Sequence, residues 1–263
     1  MDRMQWFRLL HIDGGRAPRH EDLWHTLVHV CRSWRRVVFA SPQRLNLQLF
    51  CTEKKSVKKN IWPELPIIIS ANISKSGRSR SQGVNNIVAT LKQHRIYICR
   101  ITIRDITNSL LKKLAAIKTP FPALTHVALS PTRESAPVIL RSFLEGSAPR
   151  LQSLSFDGIP FLALGKLLLS SLDLSHLYLN KIPHSGYISP DALVSSLSGL
   201  TRLEYLVLTF QSPQSRAARK RRIPPSLSRV VLPALTFLHF KGGSEYLEDM
   251  LSRMEIPCIF LSR

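Results

Sequence analysis

One spacing recurs through the last two-thirds of the chain and constrains it more than any other feature: an apolar residue, then apolar residues three and five positions later. It occurs as Ile98-Ile101-Ile103, Leu124-Val127-Leu129, Leu151-Leu154-Phe156, Leu174-Leu177-Leu179, Leu203-Leu206-Leu208, Leu235-Leu238-Phe240 and Ile256-Ile259-Leu261, with start-to-start distances of 26, 27, 23, 29, 32 and 21 residues. The closing residues of each occurrence alternate, as a short strand does when it buries one side of its pleat. Between occurrences, apolar residues three and four apart predict helices over Ile106–Ile117, Ala136–Leu144, Pro160–Leu169, Pro190–Leu200 and Ser244–Met254. Ser189 before Pro190, with Asp191 next, reads as an N-cap followed by proline at the first helical position. Prolines 122, 149 and 233 stand just ahead of strands. A unit of strand, turn, helix and return cannot cover both its faces alone, so neighbours must stack on it. The fold class this predicts is α/β: an irregular, curved solenoid with parallel strands along one wall and helices along the other.

Composition narrows the class. Of 263 residues, 44% are hydrophobic and 21% charged, enough apolar material for a sizeable core. No run approaches the roughly 18 apolar residues of a membrane span, and the first residues carry charges and histidine where a secretion signal would be apolar. Cys31, Cys51, Cys99 and Cys258 form no CxxC pair and read as reduced core thiols. The net charge of +20 is uneven: residues 1–120 hold +15 and residues 121–263 hold +5, the latter owed to Arg216, Arg219, Lys220, Arg221 and Arg222. That cluster, flanked by prolines and without apolar periodicity, reads as an exposed loop. Its chemistry suits polyanion binding or nuclear import, and a merely solvated loop explains it equally well. Basic loops are expected at about 53–60, 74–82 and 211–229, the middle one as a Ser/Gly/Arg linker. No aromatic residues alternate with the clusters, as a stacking platform for single-stranded nucleic acid would require.

The N-terminal stretch Asp22–Ala40 has two apolar stripes at helical spacing, then Ser41-Pro42 as a stop and strands over 44–51 and 65–70. The order Leu27-Val28-His29-Val30-Cys31-Arg32-Ser33-Trp34-Arg35-Arg36-Val37-Val38-Phe39 contains V-C-R-x-W-R-x followed by an apolar residue. It resembles the second and third helices of the F-box, in particular that of the large fungal group joining a short F-box to leucine-rich-like repeats. The join over 61–69 and segments 184–190, 200–204, 232–236 and 240–248 are similar to the same group, so the likeness covers about residues 22–250. The motif's opening Leu-Pro pair has no counterpart, and the asparagine of regular leucine-rich repeats is replaced by Thr132, Ile159, Ile182 and Gln211. The F-box is therefore read as partial or degenerate and both ends as cut. The resemblance implies two parts, a helical F-box-like segment over 1–43 and a leucine-rich-repeat-like solenoid over 44–263. It also implies a substrate receptor of an SCF-type ubiquitin ligase, cytoplasmic or nuclear. Leu27, Val30, Cys31, Trp34, Val37 and Val38 would then contact a Skp-type adaptor of the cullin ligase, and the repeats a protein client. Each of those side chains is equally explained as the core of a helical cap on the first strand.

Catalytic signatures are missing: there is no glycine-rich phosphate loop, GxSxG elbow or HExxH pair. His25 and His29 stand four apart, but no third metal ligand follows at a useful spacing. Glu245, Glu248 and Asp249 are accounted for by the dipole of a helix start. The expectation is a protein that is no enzyme, has no cofactor and no membrane partner. A basic solenoid binding nucleic acid or another polyanion is the alternative, as is a truncated paralogue without a ligase role.

Overall fold

In the computed structural model of the chain, described over residues 48–57, 65–73, 78–117, 120–132, 148–162, 164–212, 229–256 and 260–262 together with Arg32, Ser33 and Arg36, the recurring spacing becomes strands. The chain divides into two compact units, Met1–Leu47 and Gln48–Arg263. In the first, Arg32, Ser33 and Arg36 are helical and exposed.

The second unit is α/β. Its elements in order are β1 (Leu49–Cys51), β2 (Ile67–Asn72), α1 (Arg78–Gln93), β3 (Ile98–Ile106), α2 (Asn108–Ala115), β4 (His126–Pro131), β5 (Ser153–Asp157), α3 (Leu164–Ser170), β6 (His176–Ile182), α4 (Pro190–Leu197), β7 (Tyr205–Phe210), β8 (Val230–Val231), β9 (Phe237–Lys241), α5 (Ser244–Ser252), β10 (Met254–Glu255) and β11 (Phe260–Ser262). Nine strands form one open sheet in the order β1-β2-β3-β4-β5-β6-β7-β9-β11, and β8 pairs separately with β10. Every pairing is parallel. Within the large sheet the strands therefore keep their sequence order, with β8 and β10 set aside in their own pair.

Register explains why the apolar spacing recurs. Cys51, Ile69, Ile101, Val127, Leu154, Leu177, Leu206 and Leu238 lie opposite one another across successive strands. Ile103, Leu129, Phe156, Leu179, Leu208 and Phe240 form a second row. Both rows are buried, in one cluster with the apolar stripes of α1 to α5. The first apolar residue of each unit closes a turn: Leu124, Leu151, Leu174, Leu203 and Leu235 donate their N–H to the carbonyls of Phe121, Ala148, Ser171, Leu200 and Leu232. Prolines 122, 149 and 233 occupy the second position of such turns, where a fixed φ is already suitable.

Successive units are also tied through their strand starts. The Cys99 carbonyl accepts the N–H of Thr125, that of Thr125 accepts from Gln152 and Ser153, that of Gln152 from Ser175 and His176, and that of Glu204 from Thr236 and Phe237. Thr125, Ser175 and Thr236 add their hydroxyls to the same carbonyls, of Cys99, Gln152 and Glu204, at 2.9, 3.1 and 3.2 Å. At the far ends of three strands the chain turns through left-handed φ, at Asp105 (51°), Gly158 (67°) and Lys181 (49°). The residue that follows, Ile106, Ile159 or Ile182, is buried. In these three units the left-handed residue turns the isoleucine after it inward.

Three expectations need correction. The basic linker expected over 74–82 gives way to helix from Arg78 onward. Val84, Ile87 and Leu91, buried at helical spacing, hold α1 on the core, and the helix extends N-terminally from them through the charged residues. Close packing marks this helix too: a Cβ at Gly83 would fall 2.9 Å from that of Glu53. The helices are shorter than their periodicity, since Ile106 ends β3 and Met254 begins β10. In the last strand Leu261, rather than Ile259, lies opposite Leu238, a shift of two residues. Met254 and Glu255 pair first with Val230 and Val231, which delays entry into the main sheet. The expected helix over Ala136–Leu144 lies outside the described residues.

Candidate functional site: the open face of the sheet

A strand buries alternate residues, so the residues between the two buried rows point the other way. They form two rows of their own: Arg100, His126, Ser153, His176, Tyr205 and Phe237 from β3 to β9, and beside them Thr102, Ala128, Ser155, Tyr178, Val207 and His239. All twelve are partly exposed. The sheet is thus covered on one side and open on the other.

The first row changes character along its length. At the β3 end stands the guanidinium of Arg100, with that of Arg104 further along the same strand. At the β9 end the rings stack: His176 on Tyr205 with centroids 4.7 Å apart and planes 9° apart, then Tyr205 against Phe237 at 5.8 Å. Tyr178 lies 6.2 Å from His176. Alignment of strands in register, about 4.8 Å apart, is what brings rings 29 and 32 residues distant in sequence into contact.

The two imidazoles are held in one tautomer. Thr125 gives its hydroxyl proton to Cys99, so at 2.8 Å from His126 Nδ1 it accepts, and the ring carries its proton on Nδ1. Ser175, donating to Gln152, fixes His176 in the same way at 2.8 Å. Nε2 is left as the acceptor in each. Burial first, then the charge of Arg100 and of His176, pushes His126 down to about 4. Burial also lowers His176, against an opposing pull from Glu204. The middle of the row is therefore neutral near pH 7. Burial and the neighbouring Tyr205 push Tyr178 up to about 12, so its phenol keeps its proton.

A second aromatic group closes one end of the sheet. Tyr246 of α5 meets Phe210 at 4.9 Å and Phe240 at 5.7 Å, and its hydroxyl donates to the Ile188 carbonyl at 2.9 Å. Burial raises its phenol above the usual range. This cluster anchors the loop before α4 to α5.

The residues singled out from sequence are distributed unevenly. Leu27, Val30, Cys31, Trp34, Val37 and Val38, the pair His25 and His29, and the cluster Arg216, Arg219, Lys220, Arg221 and Arg222 lie outside the described residues. Cys51 is buried and Cys99 partly so; both are free thiols whose pKa burial raises, in keeping with inert core cysteines. Lys54 and Lys55 are exposed in a turn closed on Thr52. Asp249 is engaged with Arg253 at 3.1 Å rather than with neighbouring acids. Among the described residues no group of three or more His, Cys, Asp or Glu side chains is placed to hold a metal ion, and no helix is long and apolar enough to cross a membrane. The open face is not marked in the sequence, because its residues share no chemical type. Their only signal is position, one residue before and one between the two closing apolar residues of each unit.

No family model matches the chain, and no curated protein or solved structure matches it.

Proposed function

We propose that this chain is a non-enzymatic interaction adaptor, the substrate-recognition subunit of an SCF-type ubiquitin ligase. In this reading the helical segment around Leu27, Val30, Cys31, Trp34, Val37 and Val38 binds a Skp-type adaptor and through it the cullin ligase. The sheet unit binds a protein client, in the cytoplasm or nucleus. The finer fold reading belongs with it: strands that follow one another in sequence order, tied by turn and hydroxyl hydrogen bonds, are consistent with a leucine-rich-repeat-like solenoid.

The observation that carries the proposal is the open sheet face, a row of arginine, imidazole and aromatic side chains spanning six strands and interrupted only by Ser153. Aromatic and arginine side chains dominate the centres of protein interfaces, because each removes much apolar area from water while keeping a polar edge. Capture of purified Skp-type adaptor by the full chain tests the ligase part. Retention is expected, with a loss of roughly tenfold in affinity for Trp34→Ala, the size typical of a truncated aromatic anchor. A folded chain that retains no adaptor overturns the ligase role.

A further inference from the structure

The open face is polar in the sense of a bar magnet, and that asymmetry specifies a partner. Its β3 end carries Arg100 and, four residues on along the same strand, the exposed Arg104. Among the described residues neither makes an ion pair. Its other end, on β6, β7 and β9, carries His176 stacked on Tyr205 and Phe237 tilted against Tyr205, with Tyr178 and Val207 beside them. No carboxylate belongs to either row. The acids flanking the rows are Glu204, at the strand start beside Tyr205, Asp157, paired with Lys181 at 3.3 Å, and Asp105, next to Arg104 at the kinked end of β3. Between the two ends lie Ser153, Ala128 and Ser155 and the neutral ring of His126, a stretch without charge or bulk.

We propose that this face takes an extended peptide segment lying across the strands, with acidic residues over Arg100 and Arg104 and an aromatic or aliphatic anchor over Tyr205 and Phe237. The proposal rests on the open face being the interaction surface, and not on the ligase role of the N-terminal segment. Six strands give five spacings, about 24 Å in all, which an extended chain covers in about seven residues. The client determinant is therefore a short segment with acid at one end and an aromatic group about seven residues away. A guanidinium offers a carboxylate two parallel N–H donors, which sets the orientation of the acidic end. Stacked rings that are only half-exposed have little side-chain freedom left to lose, which suits them to anchoring the other end.

The test uses the full chain and two fluorescein-labelled peptides. One carries three glutamates, about four small polar residues as spacer for the span above, and two phenylalanines; the other has lysines in place of the glutamates. Fluorescence anisotropy is expected to show the glutamate peptide bound at least about tenfold more tightly than the lysine peptide. Arg100→Glu, or Arg104→Glu at the exposed position, is expected to reverse that preference. Tyr205→Ala and Phe237→Ala are expected to weaken the glutamate peptide by about tenfold, with circular-dichroism melts showing that each variant stays folded. Failure of both peptides to bind, equal binding of the two, or indifference to either set of substitutions overturns the proposal. Adaptor capture is read in a separate measurement, so loss of the ligase reading and loss of this one are distinguishable.

Discussion

At the residue scale the two non-glycine positions with left-handed backbone among the described residues carry a cost that side-chain chemistry does not offset. Asp105 and Lys181 sit at φ 51° and 49°, each at a register shift where its strand kinks before a buried isoleucine. A Cβ in that region is opposed by the neighbouring carbonyl, whereas glycine adopts it freely, as at Gly158. Lys181 does make an ion pair with Asp157, but the lysine side chain is 71% exposed and such pairs contribute little. Asp105→Gly and Lys181→Gly are each expected to raise unfolding stability by about 0.5–1 kcal/mol, measured by urea denaturation; a decrease in both would show that the side chains matter more than the backbone. His126 makes a second prediction at this scale. Its pKa falls from an ordinary 6.5 to about 4 on folding, so the unfolded chain binds the proton more readily. The stability this contributes is fully present above pH 6.5 and is lost as pH falls from there towards 4. His126→Gln, which keeps an amide donor in place of Nδ1–H, is expected to flatten stability over that interval in pH-dependent melts.

At the scale of elements, α4 and α5 are joined by a charge that lies almost entirely inside. The Arg253 side chain is 8% exposed and donates to Asp191 at 2.7 Å and to Asp249 at 3.1 Å, both acids being much more exposed. The asymmetry sets the order of mutational effects. Removing the arginine leaves two carboxylates that water can solvate, while removing both carboxylates strands a buried guanidinium. Arg253→Met is therefore expected to cost about 1–2 kcal/mol and Asp191→Asn with Asp249→Asn about 3 kcal/mol, checked by thermal unfolding of the two variants side by side. The reverse order would mean that Arg253 acts chiefly through packing of its alkyl stem. The start of α4 was legible in the sequence, because capping is local: Ser189 Oγ accepts the Ala192 N–H at 3.2 Å, with Pro190 behind it. The start of α1 was not, because its first five residues, Arg78 to Gln82, are polar and are helical only as an extension of a turn whose apolar residues lie further on.

At the scale of the whole sheet unit, stability is shared between neighbours. Each central strand is hydrogen-bonded on both sides, while β1 and β11 are bonded on one. Edge strands, held on one side only, open first, so amide exchange is expected to be slowest in β4 to β7 and fastest in β1 and β11, with β9 between; uniform protection across the sheet would show that it opens as a single cooperative block. The same arrangement separates what could be read from what had to be seen. The sequence by itself determined that strands and helices alternate, which residues of each strand are buried, where turns close and where α4 begins, because burial period, proline geometry and capping act over a few residues. Tertiary structure alone decided the register between strands, that Leu261 rather than Ile259 meets Leu238, and that an arginine end and an aromatic end share one open face. Those outcomes depend on hydrogen bonds and ring contacts between residues 20 to 30 positions apart, such as His176 with Tyr205. No local spacing encodes them, since the apolar rows specify only which side of a strand is buried and leave the chemistry of the opposite side free to vary.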